Sequence, residues 1–123
     1  MTSSKSAESP FKQDSSFSNM CGFTLMNSQV GNVVAEVMDR YDHITVTPLP
    51  SMIRVDGTRR IDVVYTDIAE ALGEDEDYFD ESQFEEVMST HYGRMVHEDD
   101  RTILFADPVE AADYIGFDLQ TSS

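Results

Sequence analysis

Apolar and polar residues change period several times along this chain, and each change marks an element. CGFTLM (21–26) reads as a short strand. Over SQVGNVVAEVMDRY (28–41), Val30, Val33, Val34, Val37, Met38 and Tyr41 form one apolar stripe at helical spacing. Asn27 or Ser28 supplies its N-cap, and Glu36 can pair with Arg40 one turn on. ITVT (44–47) is the next strand, ended by PLP. In MIRVD (52–56), Ile53 and Val55 alternate with Met52, Arg54 and Asp56. In RRIDVVY (59–65), Ile61, Val63 and Tyr65 repeat that alternation. With Asp56-Gly57 between them, the two runs predict a β-hairpin.

Thr66 is placed to cap a short helix that runs to Leu72 and stops at Gly73. The acidic stretch EDEDYFDESQFEE (74–86) carries Phe79 and Phe84 and is followed by Val87. These apolar anchors predict a second short helix near 80–86. Strands at 87–92 and 94–97 follow, divided by Gly93. HEDD is a charged turn, and TILFA (102–106) is the closing strand. Asp107 then caps a helix with Pro108 at its first position, Glu110 able to complete a capping box, and Gly116 as the stop. This order predicts an α+β fold: a single small domain with two mainly antiparallel sheets and about three to four helices. Its strand–helix–strand–strand unit occurs roughly twice, without a repeat in the sequence itself. The expected core is Val30, Val34, Val37, Ile53, Val55, Ile61, Val63, Leu72, Phe84, Ile103 and Phe105.

Composition bounds the rest. A chain of 123 residues is long enough for one domain and buries roughly 65% of its extended surface on folding. Residues 1–20 hold both lysines, two acids and seven serines without apolar periodicity. They predict a disordered N-terminal arm. The expected organisation is therefore an arm at 1–20, a domain at 21–106 and a C-terminal helix and tail at 107–123. The net charge is −16, and from residue 21 onward six arginines face 22 acids. Nucleic acid and anionic membrane surfaces both need a cationic face, so neither is an expected partner. A positively charged protein is the natural one. A single cysteine, Cys21, excludes an internal disulfide. With no signal-peptide pattern and no membrane-length apolar run, the expected compartment is the cytoplasm.

Two stretches have the composition of a chemical site. An EF-hand loop begun at Asp75 puts Asp77 third and Glu86 twelfth, but Phe79 falls on a ligand position and Asp80 where glycine makes the turn. The acidic run thus reads as a solvated face. The stretch MSTHYGRMVHEDD (88–100) holds His91, His97, Glu98, Asp99 and Asp100. In an extended strand His91 and His97 share a face but lie about 20 Å apart at about 3.3 Å per residue. Glycine-rich phosphate loops, GxSxG and CxxC are absent from the sequence. What stands out is charge, and charge serves docking.

Four blocks then carry a resemblance, in order, over residues 22–106. NSQVG (27–31) resembles an Asn-x-x-Val-Gly helix opening. LPSMIRVDGTRRIDVV (49–64) resembles a strand with Met-Ile-Arg and a charged return. TDIAEALG (66–73) resembles a short helix, and VMSTHYGRMVHEDDRTILF (87–105) two closing strands. Together they resemble the effector, or coupling, proteins of bacterial multicomponent diiron monooxygenases, the family of methane monooxygenase component B and the phenol hydroxylase effector. Residues 24–26, 88–97 and 109–119 are most similar to the propane, alkane and alkene monooxygenase type. Thr90 to Gly93 is one residue longer than in the methane-type protein, which puts the placement of His91 and Tyr92 in question.

The resemblance implies a regulatory component and not an enzyme, with no cofactor and no metal of its own. It implies docking on a diiron hydroxylase, where the effector couples NADH oxidation and oxygen activation to hydrocarbon hydroxylation. The free chain is expected to be a monomer. Ser89 and Thr90 match a family position that faces the hydroxylase, and His91 and Tyr92 extend it. Arg54 and Asn27 are further contact candidates, although Asn27 also suits a helix cap. Phe11 and Phe17 are the arm's candidates. The other readings are a small acidic protein-binding module, or a metal-binding protein using His91, His97, Glu98 and Asp99.

Overall fold

A computed structural model describes residues 19–116. Phe11, Phe17, most of the expected arm and the chain from 117 onward lie outside the described residues. Among the described residues, seven strands form two antiparallel sheets. The first holds β1 (Met20–Met26), β2 (Ile44–Pro48), β3 (Met52–Thr58) and β5 (Met88–Tyr92), in the order β2-β3-β1-β5. The second holds β4 (Arg60–Val64), β6 (Arg94–His97) and β7 (Arg101–Phe105), in the order β4-β7-β6. Helices α1 (Gln29–Met38), α2 (Tyr65–Leu72), α3 (Glu81–Val87) and α4 (Pro108–Ala111) connect or follow them. A wider π turn, Ala112–Gly116, continues from α4.

The predicted hairpin between β3 and β4 does not exist. β3 lies between β1 and β2, while β4 pairs with β7 in the other sheet. Arg59 separates them at φ 72 and turns the chain from one sheet to the other. Its N–H donates to the Asn19 carbonyl, and its own carbonyl accepts from the Ala106 N–H, so both sheets fasten the corner. Each strand still buries the expected residues: Ile53 and Val55 from β3, Ile61 and Val63 from β4. Alternation identifies the inward face, but two strands that face each other across a core alternate just as paired strands do.

Between the sheets, Cys21, Phe23 and Leu25 of β1 pack with Val55, Ile61 and Leu104 and with Val34, Val37 and Met38 of α1. The Phe23 and Phe84 rings meet edge to face at 5.3 Å between centroids, an aromatic geometry worth about 0.5–1.5 kcal/mol beyond area burial. Phe79, Phe84 and Val87 are buried and anchor the acidic stretch as expected. Val30 and Leu72 are only half-buried, and Tyr41 falls beyond the helix and is exposed. Ile103 and Phe105 face away from the main core. With Val96, Ala111 and Ile115 they form a smaller cluster between the second sheet and the C-terminal helical turns.

The helix-end signals hold in part. Of the two cap candidates for α1 it is Ser28 that caps: its Oγ accepts from Gly31 N–H at 3.1 Å. Asn27 instead accepts from the side-chain amide of Asn32. Thr66 does not cap α2, which begins one residue earlier at Tyr65; the Tyr65 N–H, without an intrahelical partner, donates to the Asp100 carbonyl. Gly73 does end that helix, in the left-handed conformation. Asp107 caps α4 through Val109 N–H at 2.8 Å, but the Glu110 carboxylate binds Arg59 and does not close a capping box. No ion pair joins Glu36 and Arg40 among the described residues. No described helix is long and apolar enough to cross a membrane.

Candidate functional site

The first sheet has one covered face and one open one. Alternation in β1 and β3 sends Phe23, Leu25, Ile53 and Val55 inward and leaves Thr24, Met26, Arg54 and Asp56 on the other side. α1, α3 and the second sheet cover the inner face; among the described residues no element covers the outer one. β5 pairs with β1 in the register Gly22 to Tyr92 and Thr24 to Thr90, which puts Tyr92 and Thr90 on the open face too.

Polar contacts tie this face together across the strands. Thr24 Oγ1 lies 2.7 Å from Thr90 Oγ1 and accepts from Thr90 N–H at 3.1 Å. The Tyr92 hydroxyl donates to Asp56 Oδ1 at 2.5 Å. Arg54 Nε donates to the same carboxylate at 3.0 Å. Burial, then the Asp56 hydrogen bond and charge, push the Tyr92 phenol up to about 12 against the opposing pull of Arg54. Tyr92 therefore remains a neutral donor through the physiological range.

Apolar surface rims these groups. Tyr92 is 42% exposed, Met26 50% and Leu49 40%. Two shallow grooves flank the Arg54–Tyr92 line. One, of about 620 Å³, is floored by Met20, Thr45 and Asp56. The other, of about 340 Å³, is edged by Leu49, Thr90 and His91. Exposed aromatic and methionine side chains beside fixed hydrogen-bonding groups suit recognition of another protein surface.

The predicted contact residues divide accordingly. Arg54, Thr90 and Tyr92 meet on one face. Ser89 is exposed where the β1–β5 register jumps from Thr24–Thr90 to Leu25–Met88, a bulge that leaves it unpaired. His91 pairs in register with Phe23 and is exposed at the sheet edge. Asn27 is exposed just past the end of β1. Thr24, Met26, Leu49 and Asp56 were missed, though the alternation that turns Arg54 outward applies equally to Asp56.

The sequence model of the MmoB/DmpM family matches residues 19–106. This chain belongs to the MmoB/DmpM family. It is 59% identical over 112 residues to the effector component of propane 2-monooxygenase from Gordonia sp. (strain TY-5), covering 91% of this chain and 98% of that one. The corresponding protein of Rhodococcus jostii (strain RHA1) is 58% identical over 109 residues, covering 89% of this chain and 94% of that one. The fold is similar to the regulatory protein in a phenol hydroxylase–regulatory protein complex, with a TM-score of 0.62 at 21% identity over 70% of this chain and 97% of that one. Regulatory protein B of soluble methane monooxygenase gives 0.59 at 16% identity over 70% of its length and 76% of this chain. The α+β fold with two antiparallel sheets is thus the MmoB/DmpM fold.

Within this MmoB/DmpM chain, the metal set suggested by MSTHYGRMVHEDD is not assembled. His91 stands on β5 of the first sheet and His97 on β6 of the second. The ligand atoms that converge on His97 belong to Glu81 and Glu85, on a helix earlier in the chain. Two other arginines, Arg59 and Arg60, are engaged within the second sheet and its cover: Arg60 with Asp62, Arg59 with Glu110. Arg54 also has an internal acid, Asp56, but stays exposed on the open face.

Proposed function

We propose that this chain is the effector component of a propane-type multicomponent monooxygenase. It carries no catalytic centre of its own. It docks on the diiron hydroxylase and couples NADH oxidation and oxygen activation to hydrocarbon hydroxylation. The observation that carries this reading is the 59% identity to a propane 2-monooxygenase effector component across 98% of that protein's length. The docking surface is the open face of the four-stranded sheet, centred on Arg54, Thr90 and Tyr92, with Ser89, His91 and Asn27 at its margin. Phe11 and Phe17 extend it from an arm at 1–20, ahead of an effector domain at 21–106 and a C-terminal segment at 107–123. The free protein is a cytoplasmic monomer.

Such a protein acts by binding one state of its partner better than another. Shifting an equilibrium from about 1:99 to about 99:1 takes about 5.5 kcal/mol of differential binding. A well-packed interface of about 800 Å² per side can hold that much. The net charge of −16 speeds encounter with a basic canyon, a rate effect that salt weakens.

Reconstitution tests the reading. Hydroxylase and its electron-transfer partners are assayed with and without this chain, reading hydroxylated product per NADH consumed. The chain is expected to raise that ratio; an equal ratio in both assays removes the effector assignment and leaves an acidic module with another partner.

A further inference from the structure

Away from the open sheet face, one group of side chains has the composition of a metal site. Glu81 and Glu85 stand one turn apart on α3, so their carboxylates share a face of the helix. His97, at the end of β6, meets them with Nε2 at 3.1 Å from Glu85 and 3.7 Å from Glu81. One ligand atom from each of the three residues lies within 4.8 Å of the others. An imidazole with carboxylates suits first-row divalent ions such as zinc and cobalt.

The imidazole is also held from behind. His97 Nδ1 lies 2.9 Å from Thr102 Oγ1, and Thr102 is buried, with 1% exposure. The Tyr65 hydroxyl, 2.6 Å from the same oxygen, fixes it in turn. When the Nδ1 proton is donated to Thr102, Nε2 keeps its lone pair facing the two carboxylates. Metal-bound histidines are generally oriented in this way, by a partner on the second ring nitrogen. The acidic stretch 74–86 by itself attracts cations diffusely. A directed imidazole from a separate element, β6, is what makes this spot specific.

We propose that Glu81, Glu85 and His97 bind a divalent transition-metal ion, of the zinc or cobalt class, that bridges α3 to β6. Three protein ligands leave further coordination positions to water, and the partial exposure of all three makes the ion exchangeable. Because α3 runs directly into β5, the ion would also fasten the start of the strand that carries Ser89 to Tyr92. The site stands on its own geometry and does not depend on the hydroxylase reading.

Calorimetric titration of the full chain with Zn²⁺ tests this, in excess Mg²⁺ to occupy the carboxylates of the acidic face. The wild type is expected to show one saturable site. H97Q and E85Q should each weaken it by about tenfold or more, while D75N/D77N, in the same acidic stretch, leaves it unchanged. Should H97Q fail to fold, E85Q on the exposed helix face carries the test, and Co²⁺ absorption reports coordination independently. Absence of saturable binding in Mg²⁺, or binding that E85Q and H97Q leave unaltered, overturns the site.

Discussion

The Tyr92 hydroxyl donates to Asp56 Oδ1 at 2.5 Å, although β1 runs between their two strands. The contact passes over Gly22, whose place in β1 has no room for a side chain. A Cβ there would lie 2.4 Å from the Val55 carbonyl oxygen and 2.9 Å from the Tyr92 ring. An aromatic ring laid over a strand glycine restores packing that the glycine lacks. Gly22→Ala should therefore force the sheet or the Tyr92 ring aside and cost about 1–3 kcal/mol, the usual range for overpacking. Urea unfolding reads it; a wild-type midpoint in the variant would mean that Tyr92 is not seated on Gly22.

On the proposed docking face the same ring is the large exposed aromatic, at 42% exposure. Tyr92→Ala should weaken hydroxylase binding about 30-fold or more, the effect of losing about 2 kcal/mol at a hot spot. Tyr92→Phe keeps the ring and loses only the bond to Asp56, so its effect on binding should be much smaller. Affinity is measured by titrating labelled chain with hydroxylase. Alanine with wild-type affinity would move the docking surface elsewhere on the molecule.

How much of this was legible in the sequence depended on range. Local patterns held: the α1 stripe, the outward Arg54, the acidic stretch anchored by Phe79 and Phe84, the cap at Asp107. Strand partnership did not follow, because Ile53–Val55 and Ile61–Val63 alternate alike whether they pair or oppose. The open face was half visible: Thr90 and Tyr92 stood out, while their partners Thr24 and Asp56 lie 66 and 36 residues away. For His97 the sequence suggests the wrong neighbours, His91, Glu98 and Asp99. Its true ones come from α3, and only tertiary packing brings a helix of glutamates to the end of β6. The Thr66 cap failed for a related reason: α2 starts one residue earlier, where the Tyr65 N–H is bonded to the distant Asp100 carbonyl.

Asp62 gives an acid-side prediction. Burial raises its carboxyl, but hydrogen bonds from Arg60 and Arg101 outweigh burial and hold it below the usual 3.8. Arg60 Nε lies 2.6 Å away and Arg101 Nη1 3.0 Å, so the contact joins β4 to β7. A carboxyl whose folded pKa is lowered adds stability above its unfolded value and loses it as pH falls through the folded one. Asp62→Asn should therefore cost about 1 kcal/mol at neutral pH, in the range of part-exposed ion pairs. It should also flatten the decline of the unfolding midpoint below about pH 4. Equal slopes in both proteins on the acid limb would remove Asp62 as its source.

Cys21 gives the alkaline counterpart. The thiol is wholly buried at the meeting of the two sheets, with Sγ 3.4 Å from the Leu104 carbonyl oxygen and 3.9 Å from that of Gly57. Burial, then the charge of Asp56, push it from the usual 9.0 up to about 12. The folded chain thus holds this proton more tightly than the unfolded chain. Its contribution to stability is fully present below 9.0 and declines as pH rises from there toward about 12. Wild-type urea midpoints should fall between about pH 8 and about pH 10.5, and Cys21→Ala should fall less over the same interval. At about pH 8 the alanine variant should already be the less stable, because removing the buried sulfur leaves a small cavity. Tyr92, also raised to about 12, titrates in the same direction, so the comparison is repeated in Y92F to isolate the thiol. If Cys21→Ala and wild type lose stability in parallel in that background, the alkaline limb belongs to other groups and the thiol proton contributes nothing to it.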